Sequence, residues 1–184
     1  MGYERESEEF ECVRVLVADA VGASAHPDFR AVVSQWDLSS DIPKPAPPSL
    51  VWVDDSYMYM RPDYFRDIKK SFGSAFENVL AFWAGHETYH VVADLMPGKS
   101  PRTLPLQRKA QDFVRGFNRI EIQEHYTESS ADIFGLLCAA EAGLTSNAVL
   151  RLFDPDDFTP SCMYPSGHYR NELVHNAAKY FNIF

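Results

Sequence analysis

The sequence is poor in cysteine, poor in positive charge and free of long apolar runs. Its three cysteines, Cys12, Cys138 and Cys162, are too few and too widely spaced for a disulfide framework, and an odd number leaves at least one unpaired. We expect Cys138, in an apolar stretch, to be a buried small hydrophobe and not a nucleophile. Scarcity of cysteine favours a reducing compartment, so the expected location is cytoplasmic.

Basic residues are outnumbered. The 184 residues carry 17 basic and 26 acidic side chains, for a formal net charge of -9. Such a chain offers little attraction to nucleic-acid phosphates or to an anionic membrane surface. No apolar stretch approaches the roughly 18 to 20 residues that cross a bilayer, and the acidic start of the chain is unlike a secretory signal. We therefore expect no nucleic-acid partner and no membrane span.

The length and the 46% hydrophobic content favour a single domain over residues 1–184. Apolar positions at helical spacing predict a helical extension over residues 1–47, and a segment with four prolines at 41–49 separates it from the rest. The main body, 48–184, starts with a strand or short hairpin at 49–60. Helices follow by pattern at 63–72, 74–96, 104–117, 127–142, 146–153 and 168–184. The predicted fold class is α+β, helix-dominated, with a small β-sheet.

One of the predicted helices carries the clearest chemical pattern. The segment His86-Glu87-Thr88-Tyr89-His90 matches HExxH. Residues four apart lie on one face of a helix, so the two imidazoles can bind one ion, while Glu87 can reach a water on that ion. Zinc activates water in such sites, and a nearby carboxylate takes the proton. The pattern predicts His86 and His90 as metal ligands and Glu87 as a general base.

Two histidines leave a catalytic zinc site one protein ligand short. The HExxHxxGxxH pattern of metzincins is excluded, because Ala93 and Met96 stand where it requires Gly and His. Downstream, a second predicted helix carries Glu128-Ser-Ser-Ala-Asp132, an ExxAD pattern.

HExxH followed by a helical ExxAD resembles the gluzincin branch of metallopeptidases, in particular the HtpX and CAAX-prenyl-endopeptidase type. Because the chain lacks the membrane helices of many members, the likeness is to compact soluble relatives such as Lit-type proteases. The resemblance implies a zincin-like catalytic core at 48–184, a Zn2+ cofactor and a peptide or protein substrate. It also implies that Glu128 is the third ligand and that Asp132 accepts a ring N–H from a ligand histidine.

A third segment, from Tyr164 to Arg170, resembles the HPSGxxR-like stretch that follows ExxAD in such peptidases, with Tyr164 in place of the leading His. In that setting a basic side chain can face the developing oxyanion. The resemblance makes Arg170 and His168 candidate catalytic residues.

The predicted function is zinc-dependent peptide-bond hydrolysis by an activated water, with Glu87 as the general base. One alternative is a catalytically idle zincin-fold protein that binds or regulates a partner. Another is a narrow-specificity protease effector in toxin action or phage defence. Each site also has an ordinary reading: HExxH as an accident of helix composition, Glu128 and Asp132 as surface acids, and Arg170 and His168 as surface residues. The sequence does not define an oligomeric state.

Overall fold

The protein is represented by a computed structural model that describes residues 8–9, 11–13, 15–16, 37–38, 51–54, 57–95, 105–117, 123–144, 147–161 and 164–183. Three short strands come first: β1 (Asp37–Leu38), β2 (Val51–Asp54) and β3 (Tyr57–Met60). They are followed by α1 (Pro62–Phe72), α2 (Phe76–Leu95), α3 (Pro105–Gly116), α4 (Gln123–Glu141) and α5 (Gly167–Tyr180). Single 3-10 turns lie at Gly73–Ala75 and Val149–Arg151.

Helix α1 has well-defined ends. Pro62 occupies its first turn, where the missing N–H costs nothing, and Asp63 lies there as well, favoured by the helix dipole. Lys69 and Lys70 lie in its last turn. The helix stops at Gly73, whose φ of 55° suits glycine and whose N–H bonds to the carbonyl of Lys69.

Helices α2 and α4 form the centre of the fold. Neither has a distinctly polar face, which is typical of helices covered on all sides, and residues 79–82 of α2 and 128–139 of α4 are buried. They pack against each other, while α1 packs on α2, and α3 and α5 pack on α4. The predicted stop of α4 at Gly143 is confirmed: this glycine has a φ of 71°, and the N–H of Leu144 bonds back to the carbonyl of Ala139 at 2.9 Å.

The predicted α+β class is wrong. Of the residues whose burial the structure describes, 77% are helical, and helices supply the core that these residues form. The strands form a ladder in the order β1-β3-β2, with β2 antiparallel to β3 and Val51 opposite Met60. Met60 of β3 is fully buried and belongs to the core. The Val-, Trp- and Tyr-rich run at 49–60 led to the error, because strand propensity says nothing about which elements bury the core.

Two further predictions need comment. The helix predicted at 146–153 is reduced to the turn Val149–Arg151, in a stretch that leads into a loop rich in Pro and Asp. Most of the predicted 1–47 extension lies outside the described residues, although residues 8–9, 11–13 and 15–16 are helical. There Val13 is buried in the core, and Glu9 forms an ion pair with Lys69 of α1.

None of the helices in the described part of the chain combines the length and apolar character that a membrane crossing requires.

Candidate metal centre

The HExxH pattern lies in the middle of α2, as predicted. His86 is buried with 3% of its surface exposed, and His90, one turn later, is half-buried. Their Nε2 atoms face each other at 3.2 Å. Between them, the hydroxyl of Thr88 donates to the carbonyl of Ala84 at 2.6 Å, so this buried polar group is satisfied within the helix. The helix therefore presents two imidazoles side by side.

Two glycines let α4 cross α2 in direct backbone contact. A Cβ atom on Gly135 would lie 2.5 Å from the carbonyl oxygen of Phe82, and one on Gly85 would lie 2.8 Å from the Cα of Gly135. Any side chain at either position would force the helices apart. No prediction from the sequence singled out these glycines. The signal that could have indicated a close helix crossing is a glycine in each of the two helices that carry a motif.

The crossing brings Glu128 to the two histidines. Its Oε2 lies 3.5 Å from His86 Nε2, and its Oε1 lies 3.4 Å from His90 Nε2. Ligand atoms of these three residues all lie within 4.8 Å of one another. Two ligands bound to zinc at about 2.0–2.1 Å with a tetrahedral angle would be about 3.3 Å apart. The spacing of the three side chains thus fits one zinc ion.

The hydrogen bonding of Glu128 also fits a cation. Its Oε2 atom is buried and makes no hydrogen bond to the described residues beyond the long 3.5 Å contact with His86 Nε2. A buried carboxylate oxygen without a donor is costly, and a bound cation would satisfy it. An ordinary surface glutamate, the alternative reading, would instead be solvated, whereas Glu128 is only 9% exposed.

Asp132 lies one turn beyond Glu128 and is fully buried. Its Oδ1 accepts a hydrogen bond from His86 Nδ1 at 3.0 Å, the contact that the resemblance implies. With the proton on Nδ1, the lone pair of His86 Nε2 faces His90 and Glu128. Burial opposes ionisation of Asp132, but Arg170 and His86 outweigh it and hold the pKa of this carboxyl below its ordinary value.

Glu87 is 7% exposed, and burial raises its pKa to about 7, against the lowering effect of His86 and with a further rise from the charge of Glu128. A carboxyl with such a pKa can both accept and return a proton near neutral pH. On His86, burial opposes a positive charge, but contacts with Asp132 and Glu128 outweigh it and raise the pKa to about 10. A metal ion that binds His86 must therefore displace a proton.

The charges buried at the cluster are compatible with a cation. Three carboxyl groups, Glu87, Glu128 and Asp132, are buried beside the guanidinium of Arg170, whose side chain is 13% exposed. Without a metal, protonation of His86 and the raised pKa of Glu87 limit the negative charge there. A divalent ion that displaces the His86 proton would take over the role of offsetting the carboxylates.

The two predicted oxyanion donors lie in different surroundings. Arg170 of α5 binds Asp132, with Nε 2.7 Å from Oδ2 and Nη2 2.6 Å from Oδ1. His168 is held by loop residues instead: its Nδ1 lies 2.7 Å from the carbonyl oxygen of Pro155, and its ring stacks on Phe158 with centroids 4.2 Å apart. The structure joins Arg170 to the cluster and does not join His168 to it.

Tyr164, which the sequence marks only as a departure from a motif, interacts electrostatically with residues of the cluster. Burial raises its pKa, and the charges of Glu128 and Glu87 raise it further, while Arg170 acts in the opposite direction. Tyr164 and Arg170 also line a cavity of about 350 Å³, which is otherwise walled by residues 152–161 and the start of α5. The cavity therefore lies on the Arg170 side of the cluster, and its described lining contains none of the candidate metal ligands.

Comparisons of the chain with protein-family models, with curated proteins and with solved structures return no match. The class defined by the fold and the site is a helical domain with a candidate His-His-Glu metal centre. The gluzincin resemblance stays a prediction from two short motifs.

Proposed function

We propose that this protein is a zinc-dependent hydrolase, and specifically a peptidase. The observation that carries the proposal is the convergence of His86, His90 and Glu128 at distances of 3.2–3.5 Å, which suit a single zinc ion. Glu87, the residue that such an enzyme needs as a base, lies next to His86 with its pKa raised to about 7. A centre used only for structural support has no need of that carboxylate.

In the proposed reaction, His86, His90 and Glu128 would hold the metal. Zinc bound there would act as a Lewis acid and would lower the pKa of a bound water to about 7. Glu87 takes a proton from the attacking water on its carboxylate and later returns it to the leaving amine. Asp132 keeps the His86 ring in the orientation and tautomer that direct Nε2 towards the other ligands.

The preference for peptides rests on the resemblance of the two motifs to gluzincin peptidases. The cavity beside Arg170 and Tyr164 supports it, because about 350 Å³ can accommodate a substrate side chain next to the cluster. The binding-protein alternative does not account for Glu87. The effector alternative differs only in the breadth of the substrates.

The test is cleavage of a peptide library and of an unfolded protein by the zinc-loaded chain, with Glu87→Gln as the inactive variant. The matched control is Glu77→Gln, since Glu77 is an exposed glutamate on the same helix. We expect cleavage by the wild type and by the control, and a loss of at least about 100-fold in Glu87→Gln with its zinc retained.

Cleavage by Glu87→Gln at the wild-type rate would refute the proposed mechanism. Absence of cleavage by a zinc-loaded wild type would favour the binding-protein alternative. Cleavage confined to one protein of a cell lysate would favour the narrow-specificity effector.

A further inference from the structure

We infer that Arg170 is a positioning residue of the metal centre, which acts through Asp132 on His86. This inference rests on the proposed function, because it assigns a role towards the same metal ion. It differs from the oxyanion role that the motif resemblance implies for Arg170, in which the guanidinium would face the substrate.

The first step of the argument is the geometry of the ion pair. Arg170 uses two donors of its planar guanidinium, one for each oxygen of Asp132, at 2.7 and 2.6 Å. A two-point contact fixes the plane of the carboxylate as well as its position, which a single hydrogen bond cannot do. Asp132 therefore has one orientation imposed by α5.

The second step is the atom that the two contacts share. Asp132 Oδ1 accepts from Arg170 Nη2 and also from His86 Nδ1, at 3.0 Å. The direction of the second bond sets the rotation of the imidazole and so the direction of its Nε2. Arg170 and His86 lie 38 and 46 positions from Asp132 in the chain. They are thus connected through one oxygen atom of this fully buried side chain.

The third step is the support of the guanidinium itself. Arg170 lies over the ring of Phe153 at 4.1 Å, and Phe153 is 7% exposed. The Phe153 ring contacts Phe82 and Trp83 of α2, and the Trp83 ring lies 5.2 Å from His86. The same aromatic group therefore holds both ends of the Arg170–Asp132–His86 chain, as pre-organised ligands require.

The inference is tested by zinc affinity, measured by competition with a chromogenic chelator and in the absence of substrate. The variants are Arg170→Gln, Arg170→Lys, Asp132→Asn and the double variant Arg170→Gln/Asp132→Asn. Arg115→Gln is the control, because Arg115 pairs with Asp112 on the surface of α3. Far-UV circular dichroism and thermal unfolding in a chelator establish that each variant is folded.

We expect Arg170→Gln to lower zinc affinity by about 10- to 100-fold, the range found for partners of ligand histidines. Arg170→Lys should recover part of the loss, since it keeps the charge and one contact. The double variant should bind no more weakly than Asp132→Asn alone, because both changes break one chain. Arg115→Gln should bind like the wild type. With cobalt in place of zinc, the visible spectrum should shift in Arg170→Gln.

Wild-type zinc affinity in Arg170→Gln would overturn the inference. If peptide cleavage falls in the same variant, the result would favour the oxyanion role. Should Arg170→Gln fail to fold, wild-type zinc affinity in Arg170→Lys, which cannot make the two-point contact with Asp132, would overturn it equally. Failure of the wild type to bind zinc is a different result, since that would remove the proposed function itself.

Discussion

Replacement of Gly135 by alanine tests whether close approach of α2 and α4 builds the site. The new Cβ would lie 2.5 Å from the carbonyl oxygen of Phe82 and 3.1 Å from the backbone nitrogen of His86. Carbon and carbonyl oxygen in contact are about 3.3 Å apart, so the helices must separate by about 0.8 Å. The atoms that would have to move belong to backbone, which cannot rotate away as a side chain can.

Two effects on stability oppose each other in Gly135→Ala. Overpacking costs about 1–3 kcal/mol, and alanine in place of glycine inside a helix returns about 0.5–1 kcal/mol. We expect a net loss of about 1–2 kcal/mol in the free energy of unfolding, measured by urea denaturation in a chelator. A displacement of about 0.8 Å also exceeds the roughly 0.5 Å within which a functional site must be held, so zinc affinity should fall.

Gly116→Ala is the matched control. Gly116 ends α3, and a Cβ atom there would meet nothing within 4 Å. This variant should be neutral or more stable by up to about 1 kcal/mol, with zinc affinity unchanged. Gly135→Ala that is as stable as the wild type and binds zinc equally well would refute the account of the crossing.

Three further predictions follow from the buried ionisable groups. Glu87→Gln should lose at least about 100-fold in kcat while its zinc content, measured by elemental analysis, stays at the wild-type level; loss of the metal would mean that Glu87 is structural. The pKa of Glu87 is raised from 4.5 to about 7 in the folded chain, so its neutral form favours folding at low pH. Relative to Glu87→Gln, the metal-free wild type should therefore lose stability as the pH rises from about 4.5 through 7. Urea denaturation of both proteins across this range measures the difference, and equal pH dependence of the two would contradict the burial of Glu87. Cys12 is exposed, whereas Cys138 is buried with its pKa raised; a thiol reagent followed by peptide mapping should label Cys12 in the native protein and Cys138 only after unfolding, and rapid native labelling of Cys138 would contradict its placement in the core.

The sequence predicts the relative placement of the candidate ligands well where the spacing lies within one element. His86 and His90 are four residues apart, so a helix alone places their rings side by side. Glu128 and Asp132 have the same relation in α4, one turn apart. What no local pattern contains is the distance between the two helices, which depends on Gly85 and Gly135 meeting at the crossing.

The partner of Arg170 was beyond sequence reasoning for a similar reason. Arg170 and Asp132 are 38 residues apart on different helices, and their contact depends on how α5 docks on α4. The motif resemblance identified Arg170 correctly as a residue near the site but gave no partner for it. For His168 the same resemblance gave a candidate that the structure does not join to the cluster. Its ring binds the carbonyl oxygen of Pro155, although it lies only two residues from Arg170 in the sequence.

The predicted fold class was wrong because it relied on strand propensity. The run at 49–60 is rich in residues favoured in strands, and the strands recorded there are four residues long. A fold class depends on which elements pack their apolar surfaces against one another. Among the residues whose burial is described, those surfaces belong mainly to helices. The lack of a distinctly polar face on α2 and α4 was the better indicator, since helices of this kind are covered on all sides.

Metal content tests the central claim most directly. Wild type, Glu128→Ala and Glu141→Ala are each loaded with zinc, passed through a desalting column and measured by elemental analysis; Glu141 is the exposed glutamate at the end of the same helix. The account predicts about one zinc per chain in the wild type and in Glu141→Ala, and little or none in Glu128→Ala. No retained zinc in the wild type, or an equal amount in Glu128→Ala, would contradict it.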